Sequence, residues 1–354
     1  MNAQSLLLDL VRTPSLSRNE AEIATYACDW LQTRGIPVKR LGDTLVAEIQ
    51  GRAPGRTLLL NTHLDTVPAG EGWVEDPWKV DWKNDQLTGL GANDAKGCAT
   101  AMMVTMVDLA ENRDWSGKLQ LALNATEEVD NKGMEDALAE IGMPDAAITG
   151  EPTGLQVVRS QAGLVVLQAV WQGKSCHAAH VARVDNSNAM LAACRDLATL
   201  PAWLEPGEPH VLLGNSTLVA TTLNSGERHN KIPCSAVALF DARLVPPTDA
   251  ADCVAELQPY LTSAHVRIRS ERLRAIDTAA KDPLVVAALT ASGNTEAVGS
   301  TTLSDMALLQ GVPAVKCGPG ETARSHTPNE FLLAQELENG IHFYKDCTRS
   351  WFSS

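Results

Sequence analysis

Apolar residues along the chain recur with two different periods. In SLSRNEAEIATYACDWLQTRG (15–35) they return every three or four positions, and Ser17 and Glu20 stand in capping-box spacing, which predicts a helix ending at Gly35. LVAEIQG (45–51), TLLLNTHL (57–64) and LQLALNAT (119–126) are short leucine- or valine-rich runs that predict strands. Between the last two, KGCATAMMVTMVDLAEN (96–112) predicts a helix whose small residues suit close packing on a sheet. Strands alternating with helices imply α/β layers, whose ligand sites lie beyond the carboxyl ends of the strands.

From about residue 160 the order changes. GLVVLQAVWQG (163–173) reads as a strand, NSNAMLAACRDLATL (186–200) as a helix, and TLVATTLNSG (217–226) and AVALFDARLV (236–245) as two strands. DAADCVAELQPYL (249–261) follows as a helix and AHVRIRS (264–270) as a last strand. This β-α-β-β-α-β series is the split, ferredoxin-like unit, with the Pro-rich LPAWLEPGEPH (200–210) as an insertion within it. After residue 270 the α/β alternation resumes. The reading is thus one α/β domain, residues 1–159 and 271–354, interrupted by an α+β domain at 160–270.

Composition narrows the function classes. A chain of 354 residues with 44% hydrophobic and 20% charged residues is ordinary for two globular domains. The formal charge of −14 argues against nucleic acid and anionic membrane as partners, because both require a basic surface. The N-terminus has no basic region before its short apolar segment, and no apolar run reaches the length of a membrane span, so no signal peptide or membrane anchor is expected. Eight scattered cysteines without CxxC spacing fit free thiols in a reducing compartment, with the cytoplasm as the expected location. A metal site would then have to be built from His, Asp and Glu.

Such residues fall at the predicted strand ends. In HLDTVP (63–68), His63 and Asp65 lie two apart, as suits a metal ligand and the carboxylate that orients its ring. GANDAKG places Asp94 after glycines, TEEVDNKG places Glu127 and Glu128 beyond LQLAL, GEPTG begins with Glu151 close behind, and GPGETARSHTPNEF carries His326. Each alone has an ordinary reading: a helix cap for Asp94, a solvated turn for the glutamates, a loop charge for Glu151, a surface residue for His326. Together, His63, His326, Asp94, Glu128 and Glu151 suffice for two zinc ions if Asp94 bridges them. Glu127 is then the unligated carboxylate, placed to act as general base and later as acid.

These stretches, in this order and over nearly the whole chain, resemble the M20 family of di-zinc metallohydrolases, which includes acetylornithine deacetylase, succinyl-diaminopimelate desuccinylase, LysW-type lysine hydrolases and glutamate carboxypeptidases. The resemblance implies a zinc-peptidase-like three-layer catalytic domain with an inserted ferredoxin-like domain serving as lid and dimerisation element. It also implies a homodimer, two zinc ions with cobalt or manganese as substitutes, and a cis peptide after Asp94. The roles implied are metal ligation by His63, Asp94, Glu128, Glu151 and His326, orientation of His63 by Asp65, and acid/base work by Glu127. GKSCHAAHVARVDNSNAM is similar to the family's GxxxHxxxPxxGxNA stretch, which implies that His177 reaches a neighbouring subunit's site and stabilises the oxyanion. Here Ala182 or Arg183 stands near the usual proline and Asp185 near the usual glycine, so this loop departs from the pattern. HNKIP and FDAR resemble substrate-carboxylate positions, implicating Asn230 and Arg243; the latter could equally be a solvated strand charge.

KCGPGETARSHTPNEF and Glu151 most resemble the acetylornithine deacetylase branch, which implies removal of an acyl group, acetyl first, from the Nα of a small amino acid in arginine biosynthesis. N-acetylcitrulline and succinylated analogues, succinyl-diaminopimelate, LysW-linked lysine and dipeptides remain open as substrates. Arg324 is a further candidate for a substrate carboxylate, or else a solvated charge. A binding-only relative would usually lack a ligand or the general base, and neither is missing here.

Overall fold

The computed structural model describes residues 2–354. The described chain divides into two compact units, one made of residues 2–159, 278–299 and 304–354, the other of residues 160–277 and 300–303.

The first unit is built on a mixed sheet in the order Val38–Leu41, Thr44–Gln50, Lys118–Asn124, Thr57–His63, Ala146–Thr149, Ala314–Lys316. The last four strands run parallel, while the two at the near edge are antiparallel. Every residue of Ala146–Thr149 and Ala314–Lys316 is buried, and only the first residue of Thr57–His63 is not; this explains their continuous apolar runs. Helix Gly97–Glu111 is buried on nearly all faces and lies beside helix Ala334–Ser353. Its alanines, methionines and glycine permit that close approach, and its lack of a polar face follows from burial.

Two details depart from the pattern read in the sequence. Helix Ala21–Gln32 begins without a side-chain cap, since Ser17 and Glu20 bond elsewhere. A small antiparallel sheet joins Phe331–Leu333, Gln86–Thr88 and Trp82–Lys83; strands of two or three residues are too short to leave a periodic signal.

The second unit is a four-stranded antiparallel sheet, Thr217–Ser225, Ser235–Leu244, Gly163–Gln172, Ala264–Leu273 in spatial order, with helices Ala189–Leu197 and Ala250–Leu257. That order is the ferredoxin-like one. The strand Gly163–Gln172 alternates buried and part-buried residues, as a sheet covered on one face requires. Its core includes Trp171, Phe240 and Leu167. Buried Asp196 accepts hydrogen bonds from Trp171 Nε1 (2.8 Å) and from the backbone and hydroxyl of Ser263, joining helix to strands. Among the described residues no helix is long and apolar enough to cross a membrane, and all eight cysteines are free thiols.

Candidate active site

The polar cluster of the first unit forms where parallel strands end. His63 is the last residue of its strand and pairs in register with Asn124 on the neighbouring strand, three residues before Glu127. Glu151 follows the strand Ala146–Thr149, tied to the His63 strand by Gly150 N–H donating to Asn61 O (2.7 Å) and Thr62 Oγ1 donating to Gly150 O (2.8 Å). Asp94 lies in the turn between Gly91, at φ +81°, and the helix from Gly97, and the peptide after Asp94 is cis. His326 stands in the loop beyond Ala314–Lys316, itself at φ +57°.

Asp94 is the centre of the geometry. Its Oδ1 lies 3.3 Å from His63 Nε2 and its Oδ2 lies 3.8 Å from His326 Nε2, so one carboxylate addresses two imidazoles. His326 Nε2 also lies 2.9 Å from Glu128 Oε1. Ligand atoms fall into three groups, His63–Asp94–Glu151, Asp94–Glu128–His326 and His63–Glu127–Glu128, with all atoms of a group within 4.8 Å of one another. Ligands of one tetrahedral zinc stand roughly 3.4 Å apart, given bonds of about 2.1 Å. Asp94 Oδ1 is moreover buried without a hydrogen-bond partner. An orphaned carboxylate oxygen among nitrogen and oxygen donors fits a divalent cation.

The electrostatics point the same way. Burial raises the Glu127 carboxyl well above its ordinary range, with His63 opposing and Glu151, Asp305 and Glu128 adding to it. Burial likewise pushes Glu151 up to about 8, helped by Asp94. Burial opposes charge on His63, yet the nearby carboxylates of Asp65 and Asp94 outweigh it and raise the imidazole well above its usual value. Hydrogen bonding to Glu128 takes His326 up to about 9. Carboxylates this close share protons unless a cation neutralises them, and a bound cation reverses the preference.

The supporting shell holds residues whose roles the sequence did not reveal. His63 Nδ1 lies 3.0 Å from the backbone O of Asp65 and 3.5 Å from its carboxylate, so the backbone makes the closer contact. The fully buried Asp65 carboxylate instead accepts from Ser17 Oγ (2.7 Å), Glu127 N (3.1 Å) and Glu128 N (3.2 Å). Glu20 Oε1 accepts from Thr126 N (3.0 Å) and Thr44 Oγ1 from Ala125 N (3.1 Å). Ser17 and Glu20, which carry a capping-box signal, thus serve the turn bearing both glutamates. The Asp94 and His326 segments are stitched together too: Asn93 Oδ1 accepts from Glu321 N (2.9 Å), and Glu330 accepts from Gly91 N. Gly320, at φ +87°, sits where any Cβ would collide with Asn93 Oδ1. Fully buried Lys96 donates to Thr13 O (3.0 Å), and burial lowers it to about 7 against the pull of Glu330 and Asp65. Lys316, buried at its strand end, is lowered by burial while Glu151, Glu127 and Asp94 hold it up. None of these lysines or asparagines stands out in a single sequence, because each acts only through a partner distant along the chain.

His177, Asn230 and Arg243 belong to the second unit. His177 is exposed and its Nδ1 accepts from Ala179 N (3.1 Å), so the neutral ring carries its proton on Nε2. Asn230 O accepts from Ala178 N (2.9 Å), placing it beside His177. The loop after His177 is closed by Asn186, whose Nδ2 donates to Val181 O and Val184 O, and by the Lys174–Asp185 ion pair (2.6 Å). Arg243 is exposed and paired with Asp241 (2.8 Å). In the first unit, Arg324 is held by Glu336 (2.8 Å) and stacks on Phe331, so its charge already has a carboxylate partner.

A sequence profile described as Peptidase family M20/M25/M40 matches residues 59–350, and the chain belongs to this family. An acetylornithine deacetylase of Edwardsiella ictaluri is 29% identical, with 91% of each chain covered. A Staphylococcus epidermidis protein named "probable succinyl-diaminopimelate desuccinylase" is 26% identical over 98% of this chain and 96% of its own. A Bacillus subtilis structure, described as a dinuclear metal binding peptidase from the M20 family, superimposes with a TM-score of 0.75 at 18% identity, covering 98% of this chain and 96% of that one. The protein is therefore an M20 hydrolase, with the architecture of that family and residue groups suited to metal.

Proposed function

We propose that this hydrolase removes an acyl group, acetyl first, from the Nα of a small amino acid such as N-acetylornithine. The observation that carries the reading is Asp94, whose two oxygens face His63 and His326 while Glu127 stands in the same cluster. His63, Asp94 and Glu151 would hold one cation, and Asp94, Glu128 and His326 a second; zinc suits these nitrogen and oxygen donors, with cobalt or manganese as substitutes. Held there, such ions would supply Lewis acidity toward an acyl carbonyl and a bound water.

The chain's own groups do the rest. Glu127 takes a proton from the attacking water and returns it to the leaving amine nitrogen, a role helped by burial and neighbouring carboxylates, which raise its affinity for the proton. Asp65 fixes the turn that carries Glu127 and Glu128 by accepting both of their backbone N–H groups. His177, with Nε2 as donor, stabilises the oxyanion from the partner subunit of a homodimer. Asn230 and Arg243 orient the substrate carboxylate, Arg243 exchanging Asp241 for it. Arg324 is assigned to holding the His326 loop through Glu336 rather than to substrate. The free thiols fit a cytoplasmic setting.

The test is amine release by zinc-loaded protein from Nα-acetylornithine, Nα-acetylcitrulline, their succinyl analogues, succinyl-diaminopimelate and a dipeptide, with and without chelator. Chelator-sensitive cleavage of Nα-acetylornithine supports the proposal. Cleavage of a succinylated substrate alone moves the acyl assignment, and silence across the panel removes the substrate class.

A further inference from the structure

Behind the glutamate turn lies a buried carboxylate that the mechanism above does not use. Asp305, 1% exposed, opens the short helix Asp305–Leu308, whose N-cap is Ser304. Its Oδ2 accepts from Asn124 Nδ2 (2.6 Å) and its Oδ1 from Asn131 Nδ2 (3.1 Å). Asn131 has a second use: the same Nδ2 lies 3.3 Å from Glu127 Oε1 and donates to it. An amide nitrogen carries two protons, and here one is given to Asp305 and the other to Glu127. Asn131 is itself buried, and its backbone, at φ +51°, adopts a conformation that asparagine tolerates better than most residues. That backbone is closed by Asn131 N donating to Thr126 O (2.9 Å), so the amide projects from a rigid turn.

We propose that Asn131, anchored by Asp305, is a positioning residue that fixes the carboxylate of Glu127 in the orientation needed for proton transfer. The backbone of Glu127 is already held by Asp65, but its side chain has several free torsions. The donor at Oε1 removes the last of that freedom and leaves Oε2 for the water proton. Asp305 prevents Asn131 from turning its amide away, because a rotated amide would face a carboxylate with its carbonyl. Asp305 and Asn131 lie 174 positions apart along the chain, and so only the fold assembles this line to Glu127.

This inference rests on Glu127 being the general base, and the experiment separates the two. Asn131→Gly keeps the backbone conformation while deleting the amide; Asp305→Asn keeps the volume while removing the anchor's charge. Each should lower kcat by about ten- to a hundredfold, the scale of a misplaced catalytic group, with KM changed less than about twofold and zinc per chain unchanged. The double variant should be no slower than the slower single, since both act through one hydrogen bond. Independently of turnover, metal-free protein labelled with 15N-asparagine should show the Asn131 side-chain amide shifting on Glu127→Gln and again on Asp305→Asn. Full kcat in Asn131→Gly, additive effects in the double variant, zinc loss that accounts for the slowing, or an unmoved amide resonance each overturn the proposal. Glu127→Gln, run in parallel, distinguishes the failures: inactive Glu127→Gln beside active Asn131→Gly defeats only the positioning role, whereas active Glu127→Gln defeats the base assignment and this inference with it.

Discussion

The candidate residues of the two units differ in how they are held. In the first unit His63 and Asp65 are buried, and the turn with Glu127 and Glu128 is bound by carboxylates and a hydroxyl at four successive backbone N–H groups. In the second unit His177, Asn230 and Arg243 are exposed, and Arg243 is paired only with its near neighbour Asp241. The His63 strand end and the glutamate turn are thus ordered in advance, while the groups proposed to meet the oxyanion and the substrate carboxylate stand exposed.

The sharpest way to break the contrast is Glu127→Gln, expected to lower kcat by about 10³-fold, within the range for a lost general base, with metal content retained. Turnover together with metal analysis checks it. His177→Ala should cost about 10²-fold in kcat, as for one lost oxyanion donor, with an unchanged melting temperature because the side chain is exposed. A large loss of stability there would erase the contrast. Asp65→Asn should behave in the opposite sense, weakening zinc affinity by about 10- to 100-fold and lowering stability by about 1–3 kcal/mol through imperfectly paired buried donors; zinc titration and urea unfolding read both. Arg243→Met should raise KM by about tenfold with little effect on kcat, consistent with lost ground-state binding.

The smallest effect is a pH dependence of the metal-free protein. Glu151 and His326 have folded-state pKa values raised to about 8 and about 9, above their unfolded values of 4.5 and 6.5. Groups raised in this way contribute stability that is complete below the unfolded pKa and lost as pH climbs through the folded one. Chelated protein should therefore lose stability between about pH 5 and 9 from these groups, while zinc removes their need for protons. The gap in melting temperature between zinc-loaded and chelated protein should widen from pH 6 to pH 8.5; a constant gap would mean that the cluster does not take up protons on losing metal.

Much of this architecture was legible in the residue pattern. The strand runs LVAEIQG, TLLLNTHL and LQLALNAT, the buried helix beginning at Gly97 and the β-α-β-β-α-β series each left a local period, because burial on one or both faces constrains every residue of an element. His63, Asp94, Glu128, Glu151 and His326 were candidates because acidic and imidazole side chains just past apolar strands are conspicuous. Ser17 and Glu20 misled for the same reason: their spacing satisfies a local helix-capping rule, but the fold gives them Asp65 and Thr126 as partners.

What the sequence determined by itself was therefore the set of elements and the short list of chemically able side chains, since both depend on neighbours in the chain. Tertiary structure decided which of those side chains meet. The facing of Asp94 toward two imidazoles, the clamps through Asn93 and Glu330, and the line from Asp305 through Asn131 to Glu127 all join residues far apart along the chain. Hydrogen bonds and ion contacts act over about 3 to 4 Å, and only the folded chain, which gathers strand ends, turns and loops in one place, brings such distant positions within that reach.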